Sequence, residues 1–437
     1  MKIIFVVFLN LLLISNVFAQ EKPKPKFVCV EGNCINGSGK AEYSDKERIY
    51  VGEFKDGEPN GQGTVTIHDD RDEFEYVGEV VGGEFHGKGK IYSKKIGVME
   101  GEFINSTFTG KGKWTLPDGS IDEGDFKNNK LHGIGKITWP DGTIIEGEFK
   151  DGENNGQGKM TWPDGTIYEG DWKDNKRNGQ GKMTYPNGNI HEGEYKDNKF
   201  NGQGKITWVG GDIYEGDFKD NKRNGQGKMT YPNGNIHEGE YKDDKRNGQG
   251  KMTYPNGNIH EGEYKDDKRN GQGKMTWPDG TIYEGDFKDD YRNGQGKMTF
   301  ADGNIAEGEF RDGYLNGQGK RTYPNGNIHE GEYKDGLANG QGKETLPNGI
   351  SYVGKFENNE LVIEPKIYWE GAINCYRFTK NPNKENLRPY IDQLTLRVES
   401  YKRYANNDDE TWIIQYSNTI VERLGCPKDL FKSSYIR

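Results

Sequence analysis

Four histidines, His191, His237, His260 and His329, hold the same place in a block of 23 residues that recurs along the chain. Imidazoles are common metal ligands and proton carriers, so their spacing decides what they can do. If each block supplies two strands, neighbouring blocks lie roughly 9.6 Å apart, whereas metal–nitrogen bonds are about 2.0–2.1 Å. The four therefore do not share a metal. Other blocks carry Tyr at this place, which makes the histidines ring-for-ring replacements with a mild pH response. Carboxylates recur in pairs, as at Glu192 and Glu194. Catalysis needs one perturbed pair, not a dozen equal ones, so these read as a solvated face. Residues 145–305 contain no Ser and no Cys, and G-x-S-x-G occurs nowhere. Ser400 and Ser417 have no His near them. Asp151-Gly152-Glu153-Asn154-Asn155-Gly156 imitates the start of a calcium loop, but its twelfth place is Trp162 rather than Glu. Each block's G-Q-G lacks the Lys-Ser/Thr and following helix of a phosphate loop. The expectation is a chain with no catalytic residue, no cofactor and no metal.

The elements behind these residues follow from one block, Tyr168 to Ile190, Y-E-G-D-W-K-D-N-K-R-N-G-Q-G-K-M-T-Y-P-N-G-N-I, with places numbered from Tyr168. The blocks at 237–259 and 260–282 differ at three places, and so strict a period reads as a stacked array. Places 1 to 6 and 12 to 18 alternate large and polar residues, the period of strands with one apolar face. Asn178-Gly179 predicts the turn within a hairpin, and Pro186-Asn187-Gly188 predicts the turn between hairpins. Parity places Trp172 over Gly181, Gly170 under Met183, Tyr168 opposite Tyr185, and Asp171 beside Lys182. Rings recur at place 5 (Phe149, Trp172, Tyr195, Phe218) and place 18 (Trp162, Tyr185, Trp208, Tyr231) and make the core. With 31% hydrophobic residues, mean hydropathy of -1.03 and 64 Gly, only a thin sheet is affordable. The fold class is all-β, an elongated antiparallel β-hairpin meander.

The block resembles the MORN repeat, Y-x-G-x-[WF]-x-x-G-x-x-x-G-x-G around a hairpin, over about 50–362. Place 8 is usually Asn or Asp here, where that pattern has Gly. The resemblance implies a twisted antiparallel sheet with a groove, and a role as scaffold, dimerisation module or membrane-associated adaptor.

Residues 1–19 read as a signal peptide, with Lys2, the apolar run Ile3 to Ile14 and a Val17-Phe18-Ala19 cleavage site. Residues 20–28 are a basic Pro/Lys linker and 29–49 a degenerate first repeat that keeps Gly37-Ser38-Gly39. The array occupies 50–372, with an insertion near His68 to Phe74. Residues 373–437 predict a short C-terminal helical hairpin cap, with Ile391, Leu394, Val398 and Tyr401 on one helical face and Ile413, Tyr416, Ile420 and Leu424 on the other. An exported chain meets an oxidising compartment. The cysteines are expected to pair Cys29 with Cys34 and Cys375 with Cys426, because a long array keeps its ends apart. The expected location is periplasmic or extracellular, and a bacterial envelope fits better than a eukaryotic secretory route.

The functional expectation is a non-enzymatic exported scaffold or adaptor for multivalent protein–protein interaction or self-association. The alternative is binding of an anionic membrane surface or an envelope polysaccharide. Candidate surface-binding residues are Trp172 and Trp208 for ring stacking. The basic hairpin tips Lys176, Arg177, Lys222, Arg223, Lys245 and Arg246 are the candidates for anionic partners. A net charge of -10 on an exported chain argues against nucleic acid.

Overall fold

A computed structural model describes residues 26–44, 48–69, 72–349 and 351–362. These residues form strands and turns, with no helix among them. The expected signal peptide, helical cap and Cys375–Cys426 pair lie outside the described residues. The described residues divide into two compact units, one running to residue 256 with 264–267, the other 257–263 with those from 268 to 362. Within each, every strand pairs antiparallel with the next, which makes the fold an all-β meander of hairpins.

The block from Tyr168 shows how the sequence folds. Strand Ile167–Lys173 pairs with Lys176–Thr184 across a two-residue turn, Asp174-Asn175. Both turn residues have positive φ, 50° and 61°, the type I′ geometry that matches strand twist. Asp and Asn tolerate this conformation better than other residues with a Cβ. The expected turn at Asn178-Gly179 is therefore corrected: those residues lie inside the second strand, at a bulge. The ladder runs Gly170 opposite Gly181 and then Trp172 opposite Arg177, so the second strand carries extra residues there. Gly179 takes φ 115°, and the Asp171 carboxylate accepts the Gln180 N–H at 2.7 Å. Asn-Gly serves the bulge because it, too, needs a residue free to adopt positive φ. Between hairpins, the Gly188 N–H donates to the Tyr185 carbonyl at 2.9 Å and Asn187 caps the Asn189 N–H at 3.0 Å. This is the Pro-Asn-Gly turn the sequence predicts.

The predicted register is corrected as well. Tyr168 faces Met183, not Tyr185, and glycine faces glycine. Gly158, Gly170, Gly181, Gly193 and Gly204 stand side by side on successive strands. In the second unit Gly273, Gly285, Gly296, Gly308 and Gly319 do the same. This strip is where the place 1 ring lies flat. A Cβ on Gly181 would fall 2.4–2.6 Å from the Tyr168 ring and hydroxyl. One on Gly170 would fall 2.4 Å from the Gln180 carbonyl.

The core follows the same periodicity. Tyr168, Trp172, Tyr195, Tyr214 and Phe218 are buried on one face, as are Tyr283, Phe287 and Phe310 in the second unit. Neighbouring rings meet edge to face, for example Tyr168 with Trp172 at 5.3 Å and Tyr283 with Phe310 at 5.1 Å. Each buried ring contributes on the order of 2 kcal/mol. On the other face, Lys182 pairs with Glu192 at 2.8 Å, and Lys205 with Glu215 at 2.9 Å. Asp171 is held by Gln157 and by the Gln180 amide, so the expected Asp171–Lys182 pair is not formed. These half-exposed ion pairs contribute about 0–1 kcal/mol each.

The first hairpin is Phe27–Gly32 with Gly37–Tyr43, and Cys29 and Cys34 form the expected disulfide. The insertion near His68 lengthens one hairpin, in which Ile67 faces Phe74 and Asp69 faces Asp72.

Candidate binding face

The face that buries the place 1 and place 5 rings is closed over part of its width and open over the rest. Place 18, just before each turn between hairpins, is half-buried: Trp162, Tyr185, Trp208 and Tyr231 in the first unit, Trp277, Phe300 and Tyr323 in the second. The turn lifts these side chains away from the strip while their inner edges still touch the core. At Trp208 this leaves an open recess of about 440 Å³, lined by Trp208, Val209, Arg223, Met229, Asn187 and Asp212 among others. The two tryptophans expected at the surface thus differ. Trp208 presents a ring edge, whereas Trp172 is 7% exposed and its indole N–H donates to the Gly158 carbonyl at 3.3 Å.

The lysines of the basic tips are charge-balanced. Lys176, Lys222 and Lys245 each meet the place 7 aspartate of the next block, Asp197, Asp243 and Asp266, at 3.1–3.2 Å. The arginines fold inward over rings. Arg177 lies 5.6 Å from Tyr168 and 5.5 Å from Tyr195, and it donates to the Asn198 carbonyl at 2.7 Å. Arg223 lies over Trp208, Tyr214 and Tyr241 at 5.4–5.9 Å, with Nε 3.4 Å from Asp244. Arg246 lies over Tyr264 at 5.3 Å, with Nε 3.4 Å from Asp267. An arginine stem covers apolar surface while its head stacks on aromatic faces. That is why a residue expected at a solvated tip ends as part of the core's lid.

The place 1 residues show what the array tolerates in its core. The Tyr214 hydroxyl donates to the Asp217 carbonyl at 3.2 Å. His237 is shorter: its Nδ1 shares a hydrogen bond with the Tyr241 hydroxyl at 2.8 Å, and its buried Nε2 has no partner. His329 repeats this with Tyr333 at 2.7 Å. Burial pushes His237 down to about 4, helped by the Arg246 charge. Burial also holds His191 and His329 below the usual histidine range. In the block before Ile145 the same place holds Asp122, between Trp114 and Ile137. Burial, with a smaller contribution from Asp118, pushes this carboxyl up to about 7.

Sequence reasoning did not single out Asp122, though its signal was present: the one carboxylate from 99 to 352 at a place that otherwise holds rings or apolar residues. Nor did it single out Arg292 and Arg321, whose surroundings come from residues many places away. Among the described residues, no group of three or more His, Cys, Asp or Glu side chains converges to hold a metal. Among them, too, no helix is long and apolar enough to cross a membrane.

A family model described as MORN repeat matches thirteen segments, running from 50–69 and 76–95 through 168–190 and 191–213 to 307–328 and 329–351. No curated protein matches the chain. Among solved structures, the chain is similar to the TCP domain of SAS-4 (dCPAP) of Drosophila melanogaster, solved with a proline-rich motif of Ana2 (dSTIL). That likeness has 19% identity over 41% of this chain and 85% of that one, with a TM-score of 0.20. It is also similar to a catalytically inactive virginiamycin B lyase of Staphylococcus aureus, with 13% identity over 58% of this chain and 87% of that one and a TM-score of 0.11. At such TM-scores neither likeness carries an argument.

Proposed function

The chain belongs to the MORN-repeat family, and from that premise we propose that it is a non-enzymatic, exported scaffold that binds protein partners, or copies of itself, through many equivalent contacts. The observation that carries this reading is the half-buried ring at place 18, which recurs block after block on the face that also buries the core. A ring of this kind offers apolar area at little conformational cost, but one such contact is weak. Linked contacts add through effective concentration. Export rests on the apolar run Ile3 to Ile14 and the Val17-Phe18-Ala19 site, and the location proposed with it is periplasmic or extracellular. The Cys29–Cys34 disulfide fits an oxidising compartment.

The test is a series of variants lacking one, two or four whole blocks at different positions. Binding to the partner recovered by crosslinking should weaken steeply with the number removed, wherever they are removed. Loss confined to one position would overturn the reading.

A second reading, stacking of an envelope polysaccharide, is favoured by the recess beside Trp208 with Asn187 and Asn189 on its wall. Trp208→Ala should then abolish retention on the polysaccharide under conditions where circular dichroism shows the variant folded. Trp172→Ala is no test of it, since that ring is core. Anionic membrane binding has less support, because the lysines at the tips already face aspartates.

A further inference from the structure

The array breaks its own pairing rule at Arg177, where the place 8 residue is Asn198, and again at Arg292. Arg223, Arg246 and Arg269 each lie against a place 8 carboxylate of the next block, with Nε 3.3–3.4 Å from Asp244, Asp267 and Asp290. For Arg292 that residue is Gly313, and among the described residues no carboxylate forms an ion pair with it. The Arg292 guanidinium lies 5.6 Å from the rings of Trp277 and Tyr283. Its Nη1 donates to the Met298 sulfur at 3.0 Å, a weak acceptor. Burial holds Arg292 below the usual arginine range.

A second guanidinium, that of Arg321, stands on the next hairpin. Arg321 occupies place 16, where Met298 and Met275 stand in the blocks before it, and it faces Ala306 and His329 on the adjoining strands. Met298 faces Ala306 from the other side, so Arg321 and the sulfur that holds Arg292 are two strand spacings apart, roughly 10 Å. Ala306 replaces the ring that place 1 carries in Tyr283 and His329, which thins the wall between them. Arg321 lies over Phe300 and Tyr323 at 5.8 and 5.4 Å. Its Nε is buried without a hydrogen-bond partner, and so is Oδ1 of Asn304. Asp302 senses the Arg321 charge, but its oxygens accept the Asn304 N–H at 2.9 Å and the Asn304 amide at 2.6 Å.

We propose that the strands Tyr291–Thr299, Ile305–Arg311 and Tyr314–Thr322 carry a single site for an acidic segment of a protein partner, in which Arg292 and Arg321 each take a carboxylate. Guanidinium forks match a carboxylate in plane and charge. Here both are stacked on rings, and Arg292 lacks the aspartate that its counterparts Arg223, Arg246 and Arg269 face. The half-buried Trp277, Phe300 and Tyr323 flank them and suit the apolar stems of the incoming residues. The Asn304 oxygen needs a donor, which a peptide supplies from a backbone N–H of the same segment. A polyuronate brings carboxylates and hydroxyls instead and is the rival ligand. The site occurs once, so it stands apart from the multivalent reading. Deleting a distant block should leave it intact, and the two ideas fail separately.

The probe is fluorescein-labelled hexaglutamate, titrated into the full chain and followed by anisotropy, with polygalacturonate as competitor. Gly313→Asp restores the missing partner. Asp290 holds φ 74° at the same place and Gly313 has φ 90°, so the backbone accepts the change. Arg292→Leu and Arg321→Met install residues that other blocks carry at those places, as in Leu315 and Met298. Each of the three should weaken hexaglutamate binding about tenfold or more with an unchanged circular dichroism spectrum. Absence of binding, equal affinity in Gly313→Asp and the parent, or tighter binding of polygalacturonate would overturn the proposal.

Discussion

The block that begins at Tyr214 and the one that begins at His237 share strands, turns and a glycine strip, and both place 1 rings are fully buried. They differ in what the ring can reach. The Tyr214 hydroxyl spans the strip to the Asp217 carbonyl, while His237 stops short and leaves Nε2 without a partner. A buried polar atom left unsatisfied costs about 1–3 kcal/mol. Near-identical repeats are therefore not equally stable, and the place 1 ring is one source of the difference.

The sharpest way to break this comparison is to attack what the two blocks share. Gly227→Val drives a side chain into the Tyr214 ring and should cost more than about 3 kcal/mol in urea unfolding. Gly250→Val, beneath His237, should cost a similar amount. A much smaller loss at either site would mean that the strip is not what seats the ring.

Acid should then separate the blocks. His237 titrates at about 4 when folded and near 6.5 when unfolded. Because the folded value is the lower, its neutral form favours the fold, and stability is lost as pH falls from about 6.5 to 4. The loss is on the order of 3 kcal/mol at most. The groups around it are Met229, Met252, Tyr241 and Tyr264, with the charges of Arg246, Asp267 and Glu238. Hydrogen exchange at pH 5 against pH 7.5 should show faster opening near His237 than near Tyr214. Asp122 runs the other way. Its folded value of about 7 lies above the unfolded one, so its contribution is complete below about 4 and disappears as pH rises through 7. Asp122→Asn should remove the fall in stability between about pH 4 and pH 7 and leave the slope of the profile above pH 7 unchanged.

His237→Tyr should erase the difference between the two blocks, adding about 1 kcal/mol at pH 7 and removing the local acid sensitivity. The smallest effect is expected on the opposite face, where Lys182→Ala should change stability by less than about 1 kcal/mol.

Much of this architecture was legible in the sequence. The 23-residue period, the alternation around Tyr168 and Trp172, the Pro186-Asn187-Gly188 turn and the Cys29–Cys34 pair each rest on local chemistry, and local chemistry is readable. The hairpin turn was misplaced because Asn178-Gly179 satisfies two demands for positive φ, a turn and a bulge, and the competing Asp174-Asn175 pair lacks glycine. Register was misjudged because parity fixes which face a residue takes but not which residue stands opposite; Gly170 could face Met183 or Gly181 without changing faces. The binding face was less legible still. Whether Arg223 projects into water or folds onto Trp208 depends on Asp244, 21 residues further along, and the isolation of Arg292 depends on Gly313 at the same remove.

The glycine strip also has a genetic consequence. Glycine meets glycine both inside a hairpin and between hairpins, so a recombination event that adds or drops one whole period leaves every ladder in step. Slippage within the gene would then vary copy number without a misfolded intermediate sequence, whereas loss of any fraction of a period would set side chains where the backbones have no room.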